Sequence, residues 1–108
     1  MFNLDNKIAV VTGASSGIGH DAAIAYAKAG ANVAVLARRK EKLDELVEEI
    51  KALNKKAIAV KCDVTNEENV KEAINTVIEE FGTIDILADK SDITSRHAYN
   101  ASKAGVIG

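Results

Sequence analysis

The stretch that most constrains this chain is Thr12-Gly13-Ala14-Ser15-Ser16-Gly17-Ile18-Gly19. A short apolar run, residues 7–12, precedes it. An alanine-rich segment, residues 18–29, follows and stops at Gly30. The first reads as a buried strand, the second as a helix closed by glycine. Three glycines between a strand and a helix have a physical use. They permit a tight turn, and they let a ligand approach the backbone with no Cβ in the way. The helix start then offers unpaired N–H groups and a positive dipole end to a phosphate. A strand before and a helix after, inside a βαβ unit, is the context that dinucleotide binding requires. No Gly-Lys-Ser/Thr follows, so the turn is not a P-loop. A tight turn without a ligand is the alternative.

The pattern continues along the chain. Residues 31–37 read as a second strand, and Leu43, Leu46, Val47, Ile50 and Leu53 then recur on one helical face. Residues 57–62 read as a third strand. Thr65-Asn66-Glu67-Glu68 carries a capping-box signature. The helix it opens bears Val70, Ala73, Ile74, Val77, Ile78 and Phe81 at helical spacing and stops at Gly82, before a fourth strand at residues 84–88. Alternating strands and helices mean a parallel sheet with helices on its faces, joined by right-handed crossovers. The expected fold is α/β, a Rossmann-type doubly wound sheet of four strands in the order 3-2-1-4. Residues 1–88 form this dinucleotide-binding βαβαβαβ unit. Residues 89–97 are an atypical junction, and residues 98–108 begin a helix carrying Tyr99-x-x-x-Lys103.

The length, 108 residues, corresponds to one small domain. The net charge of -2 with no basic stripe argues against nucleic acid as the main partner. No apolar stretch is long enough to span a bilayer, and the polar start lacks a signal-peptide apolar region. The single cysteine, Cys62, excludes an internal disulfide, fits a reducing cytoplasm, and reads as a small strand residue. No residues cluster at metal-ligand spacing. His20 is expected to face solvent, and His97 has no assigned role.

Cofactor choice is legible at the end of the second strand. There an acid binds a ribose 2′-hydroxyl, whereas an arginine accommodates a 2′-phosphate. Leu36-Ala37-Arg38-Arg39 has no acid at the tip and two guanidinium groups beyond it. NADP is therefore expected rather than NAD, with Ser15 adding a hydroxyl to the same phosphate. The alternative is that both arginines belong to a solvated helix start with Lys40, which suits Arg39 better than Arg38.

These residues resemble the short-chain dehydrogenases/reductases. The likeness runs through the glycine turn, Cys62-Asp63-Val64, and Phe81-Gly82-Thr83-Ile84-Asp85-Ile86-Leu87. It resumes at Tyr99-Asn100-Ala101-Ser102-Lys103-Ala104-Gly105. The resemblance implies a cofactor cradle of Gly13, Ser15, Ser16, Gly17, Ile18 and Gly19, with Arg38 and Arg39 at the 2′-phosphate. It places Asp63 and Val64 beside the adenine, and makes Tyr99 the catalytic acid/base. Lys103 would assist Tyr99 and hold the nicotinamide ribose. A free phenol titrates near pH ~10, and an ammonium one helical turn away would lower that toward neutrality. The implied reaction interconverts an alcohol and a carbonyl on a small molecule, in a homotetramer or homodimer when full length.

The chain departs from the family after the fourth strand. Ala88-Asp89-Lys90-Ser91 stands where the family has Asn-Asn-Ala-Gly. No serine or asparagine matches the other catalytic positions, and Tyr99 follows the fourth strand too closely. The junction reads as a splice across a longer absent region, so an internally gapped or truncated member of the family is expected. A non-catalytic half-Rossmann module that only binds nucleotide is the alternative reading. A third is a structural chain whose open sheet edge needs a partner.

Overall fold

The computed structural model describes residues 3–88 and the backbone of residues 99–100. Four parallel strands form the sheet: β1 (Ile8–Thr12), β2 (Asn32–Ala37), β3 (Ala57–Lys61) and β4 (Ile86–Ala88). Helices α1 (Gly17–Lys28), α2 (Asp44–Lys51) and α3 (Glu67–Phe81) alternate with them. The strand order is 3-2-1-4, as expected, and a two-residue strand β5 (Tyr99–Asn100) extends it beyond β4.

The strands are apolar except at their ends because both faces of the sheet are covered. Alternate side chains feed two separate cores. Ala9, Val11, Val33 and Val35 point to the face covered by α1 and α2, against Ala23, Ala27, Leu46 and Ile50. Val10, Ala34, Leu36 and Leu87 point the other way, against Ala73, Ile74 and Val77 of α3. A central strand such as β1 therefore has no polar face at all.

Four local expectations need correction. The cap of α3 is Asn66, whose side chain accepts from the Asn69 N–H at 3.1 Å. Thr65 is not the cap, because its hydroxyl donates to Asp63 Oδ1 at 2.7 Å. Leu53 is 36% exposed, since α2 ends at Lys51 and its apolar face ends with it. Tyr99–Asn100, expected to open a helix, instead pair antiparallel with Leu87 and Ile86. The open edge of β4 offers unpaired N–H and C=O groups that a returning segment can satisfy. Of Tyr99 only this backbone pairing is described, and His97 and Lys103 lie outside the described residues. His20 is half-exposed rather than free in solvent: its Nε2 lies 2.8 Å from Glu49 Oε2, joining α1 to α2.

Candidate nucleotide-binding site

In-register parallel pairing brings the C-terminal ends of the strands to one edge. Thr12 pairs with Leu36, Ala37 with Lys61, and Val11 with Ala88. The strand order reverses at β1, with β2 on one side and β4 on the other. In open α/β sheets a ligand crevice forms at this edge and at this reversal.

The glycine turn sits there. Gly13 has φ +63°, a left-handed conformation that favours glycine. Ser16 organises the turn: its Oγ donates to the Gly13 carbonyl at 2.9 Å and accepts from the Gly19 N–H at 3.2 Å. Its own carbonyl accepts from the His20 N–H at 2.8 Å. Ser16 is thus the cap of α1, and its hydroxyl is already engaged. The N–H groups of Gly17 and Ile18 have no acceptor among the described residues.

Two glycines two residues apart do different work. A Cβ on Gly19 would fall on the Gly13 carbonyl oxygen and 2.8 Å from Ala14 Cα, so Gly19 lets α1 close onto the turn. A Cβ on Gly17 would meet nothing within 4 Å. Packing does not require a glycine at position 17, whereas a ligand approaching the backbone there does. That open approach, two unpaired N–H groups and the helix dipole fit a pyrophosphate.

The tips of β2 and β3 complete the edge. Arg38 and Arg39 are exposed, and among the described residues neither lies in an ion pair. Ser15 is exposed in the turn. The Cys62 N–H donates to the Ala37 carbonyl at 2.9 Å, which carries the β2–β3 pairing one residue past β3 and sets Asp63 near Arg38. Asp63 Oδ1 accepts from the Thr65 hydroxyl at 2.7 Å and from the Thr65 N–H at 3.0 Å. The Asp63 N–H donates to Asn69 Oδ1 at 2.6 Å. The Thr65 hydroxyl first, then its N–H, hold the Asp63 carboxyl below its ordinary range. Burial opposes this, and the Arg38 guanidinium reinforces it. Burial first, then the Asp63 charge, pushes the neighbouring Cys62 thiol up, so it stays neutral at the end of its strand.

Ile18 is 41% exposed and Val64 56%, so two of the large exposed apolar side chains sit on this edge. The sequence marks Ile18 and Val64 as candidates, whereas the bonds that Thr65 and Asn69 make to Asp63 are seen only in the fold. The signal was present in Asp63-Val64-Thr65, because Asp and Thr two residues apart bond locally and compete with capping.

An α/β unit with an open glycine turn at its strand-order reversal is therefore in place, and comparison with known proteins identifies its family. The family model for short chain dehydrogenase matches residues 7–96. The chain belongs to the short-chain dehydrogenase family. It is 44% identical over 90 residues to the 3-oxoacyl-(acyl-carrier-protein) reductase FabG of Staphylococcus epidermidis strain RP62A, covering 82% of this chain and 37% of that protein. Among solved structures it is similar to a short-chain type dehydrogenase/reductase from Mycobacterium marinum. There the TM-score is 0.77 and the identity 44%, over 80% of this chain and 35% of that one. It is also similar to an NAD+-bound xylitol dehydrogenase, with TM-score 0.75 and 33% identity over 78% of this chain and 32% of that one. The chain spans about two fifths or less of the length of the curated relatives it matches. Members of the family use NAD or NADP.

Proposed function

We propose that this chain serves an NADP-preferring oxidoreductase that interconverts an alcohol and a carbonyl. The observation that carries the cofactor preference is the pair of exposed guanidinium groups, Arg38 and Arg39, just past a strand tip that ends in Ala37 rather than an acid. The N–H groups of Gly17 and Ile18 would hold the pyrophosphate. Gly13 and Gly19 shape the turn, and Ser16 fixes it. Arg38, Arg39 and Ser15 would take the 2′-phosphate, and Asp63 and Val64 the adenine. The bound nicotinamide supplies the hydride. In the family reading, Tyr99 exchanges a proton with the substrate oxygen, while the Lys103 ammonium stabilises the phenolate and binds the nicotinamide ribose. Both of these roles rest on the resemblance. The FabG likeness makes oxoacyl thioesters the first substrate class to try. A small-molecule substrate, a homotetramer or homodimer and a cytoplasmic location belong to the same proposal. No helix among the described residues is long and apolar enough to cross a membrane.

Calorimetric titration with NADPH and NADH tests the preference. Arg38→Ala should weaken NADPH binding about tenfold or more and leave NADH within about twofold, because only the 2′-phosphate loses its partner. Equal loss for both cofactors would overturn it.

The strand pairing of Tyr99–Asn100 favours a second reading, nucleotide binding without turnover, because Tyr99 then lies in a strand rather than in the first turn of a helix. Reduction of small ketones, sugars or oxoacyl thioesters with NADPH would exclude it. Tight NADPH binding with no reduction of any of them would support it.

A further inference from the structure

One edge of the sheet is β3, which pairs only with β2. Two bonds fix which of its groups face outward. The Val33 N–H donates to the Lys56 carbonyl at 3.0 Å, and the Cys62 N–H to the Ala37 carbonyl at 2.9 Å. In a parallel ladder alternate residues bond one neighbour, so the even-numbered residues of β3 serve β2. The N–H and C=O groups of Ala57, Ala59 and Lys61 point away from the sheet, with no strand beside them among the described residues. Ile58, Ala59 and Val60 are only half-buried. An apolar strand with an unpaired row of backbone groups is a template for another strand. The strand that every solution of this protein supplies is β3 of a second copy.

The residues that bracket β3 oppose that pairing. Lys55 and Lys56 precede the strand and Lys61 ends it, and among the described residues none of the three lies in an ion pair. Three lysines against one acid, Asp63, leave residues 55–63 at +2. Antiparallel pairing centred on Ala59 sets Lys61 of each copy towards the Lys55–Lys56 end of the other. Parallel pairing in register sets each lysine beside its own counterpart. Either orientation brings like charges together across the new strand pair, which destabilises it.

We propose that Lys55, Lys56 and Lys61 form an electrostatic guard that keeps two copies of this chain from pairing along the β3 edge. The inference is independent of the nucleotide reading. It concerns association through β3 alone, over and above whatever assembly the wild type forms elsewhere.

Sedimentation velocity over a concentration series tests it, comparing wild type with Lys55→Thr/Lys56→Thr/Lys61→Thr. At low ionic strength the triple variant should self-associate about tenfold or more tightly than wild type, since two symmetric sets of like charges are removed. In 1 M salt the screening length falls to about 3 Å, and the difference should shrink to about threefold or less as the wild type loses its repulsion. Adding Ala59→Pro should return the variant to wild-type behaviour. That substitution removes an outward N–H and leaves the bonds to β2 in place. If the proline variant does not fold, amide exchange replaces it: the Ala59 and Lys61 N–H groups should become protected in the associated triple variant and stay unprotected in wild type. A triple variant that sediments as wild type at every concentration would overturn the inference. So would association that survives Ala59→Pro or leaves those two amides unprotected.

Discussion

The two ends of the parallel sheet treat their polar groups in opposite ways. At the N-terminal end, protein answers protein. The Ile8 N–H donates to Asp85 Oδ2 at 2.8 Å, and the Asp85 N–H returns a bond to the Ile8 carbonyl at 2.9 Å. The Lys56 N–H donates to Asn32 Oδ1, and Gly30 is packed against Asp5. At the C-terminal end, the N–H groups of Gly17 and Ile18 and the second oxygen of Asp63 have no partner among the described residues, and two arginines and two apolar side chains stand exposed. Buried polar groups without partners are expensive, so one end is closed for stability. The other end keeps its groups at the surface, where water or a ligand can meet them. Substitutions at the first end should therefore change stability alone, and those at the second should change binding.

The strongest way to break this contrast is Gly30→Ala. Gly30 has φ +112°, and a Cβ there would fall on the Asp5 side chain and 2.9 Å from its backbone nitrogen. Backbone strain and overpacking together should remove on the order of 3 kcal/mol in urea denaturation. The folded fraction should bind NADPH as before. Gly19→Ala should remove about 2 kcal/mol by the same measurement, because the turn must shift away from α1. Here NADPH binding should fall as well, since the displaced backbone carries the unpaired N–H groups proposed to hold the phosphates. Asp85→Ala leaves the part-buried Ile8 N–H without its partner, and about 1–2 kcal/mol should be lost with unchanged affinity. Ser16→Ala removes the cap of α1 and should lower stability by about 1 kcal/mol. If Asp85→Ala weakened cofactor binding as much as Ser16→Ala, the division between the two ends would fail.

Much of this was legible in the chain. Apolar runs alternating with helical periodicity fix an α/β sheet, and the glycine turn marks the open end of β1. Arg38 is readable because strand pattern alone places it at a tip. Contacts across long sequence separations were not readable. Nothing local announces that Asp85 bonds Ile8, 77 positions away. The capping box at Thr65 misled because two local bonds compete for one hydroxyl, and Asp63 takes it. The pairing of Tyr99–Asn100 with β4 depends on an open edge that exists only once the sheet has formed. Gly17 and Gly19 look alike in sequence, and only the fold shows that one is required by packing and the other is not.

That last pair gives the most direct test. Gly17→Ala should be made, and its stability and NADPH affinity measured on the same sample. Because a Cβ at position 17 meets nothing within 4 Å, stability should stay within about 1 kcal/mol of wild type, or rise slightly. The affinity should drop about tenfold or more, because the methyl group occupies the approach to the unpaired N–H groups. Lost stability with unchanged affinity would contradict the account, for the open end of the sheet would then be serving the fold rather than a cofactor.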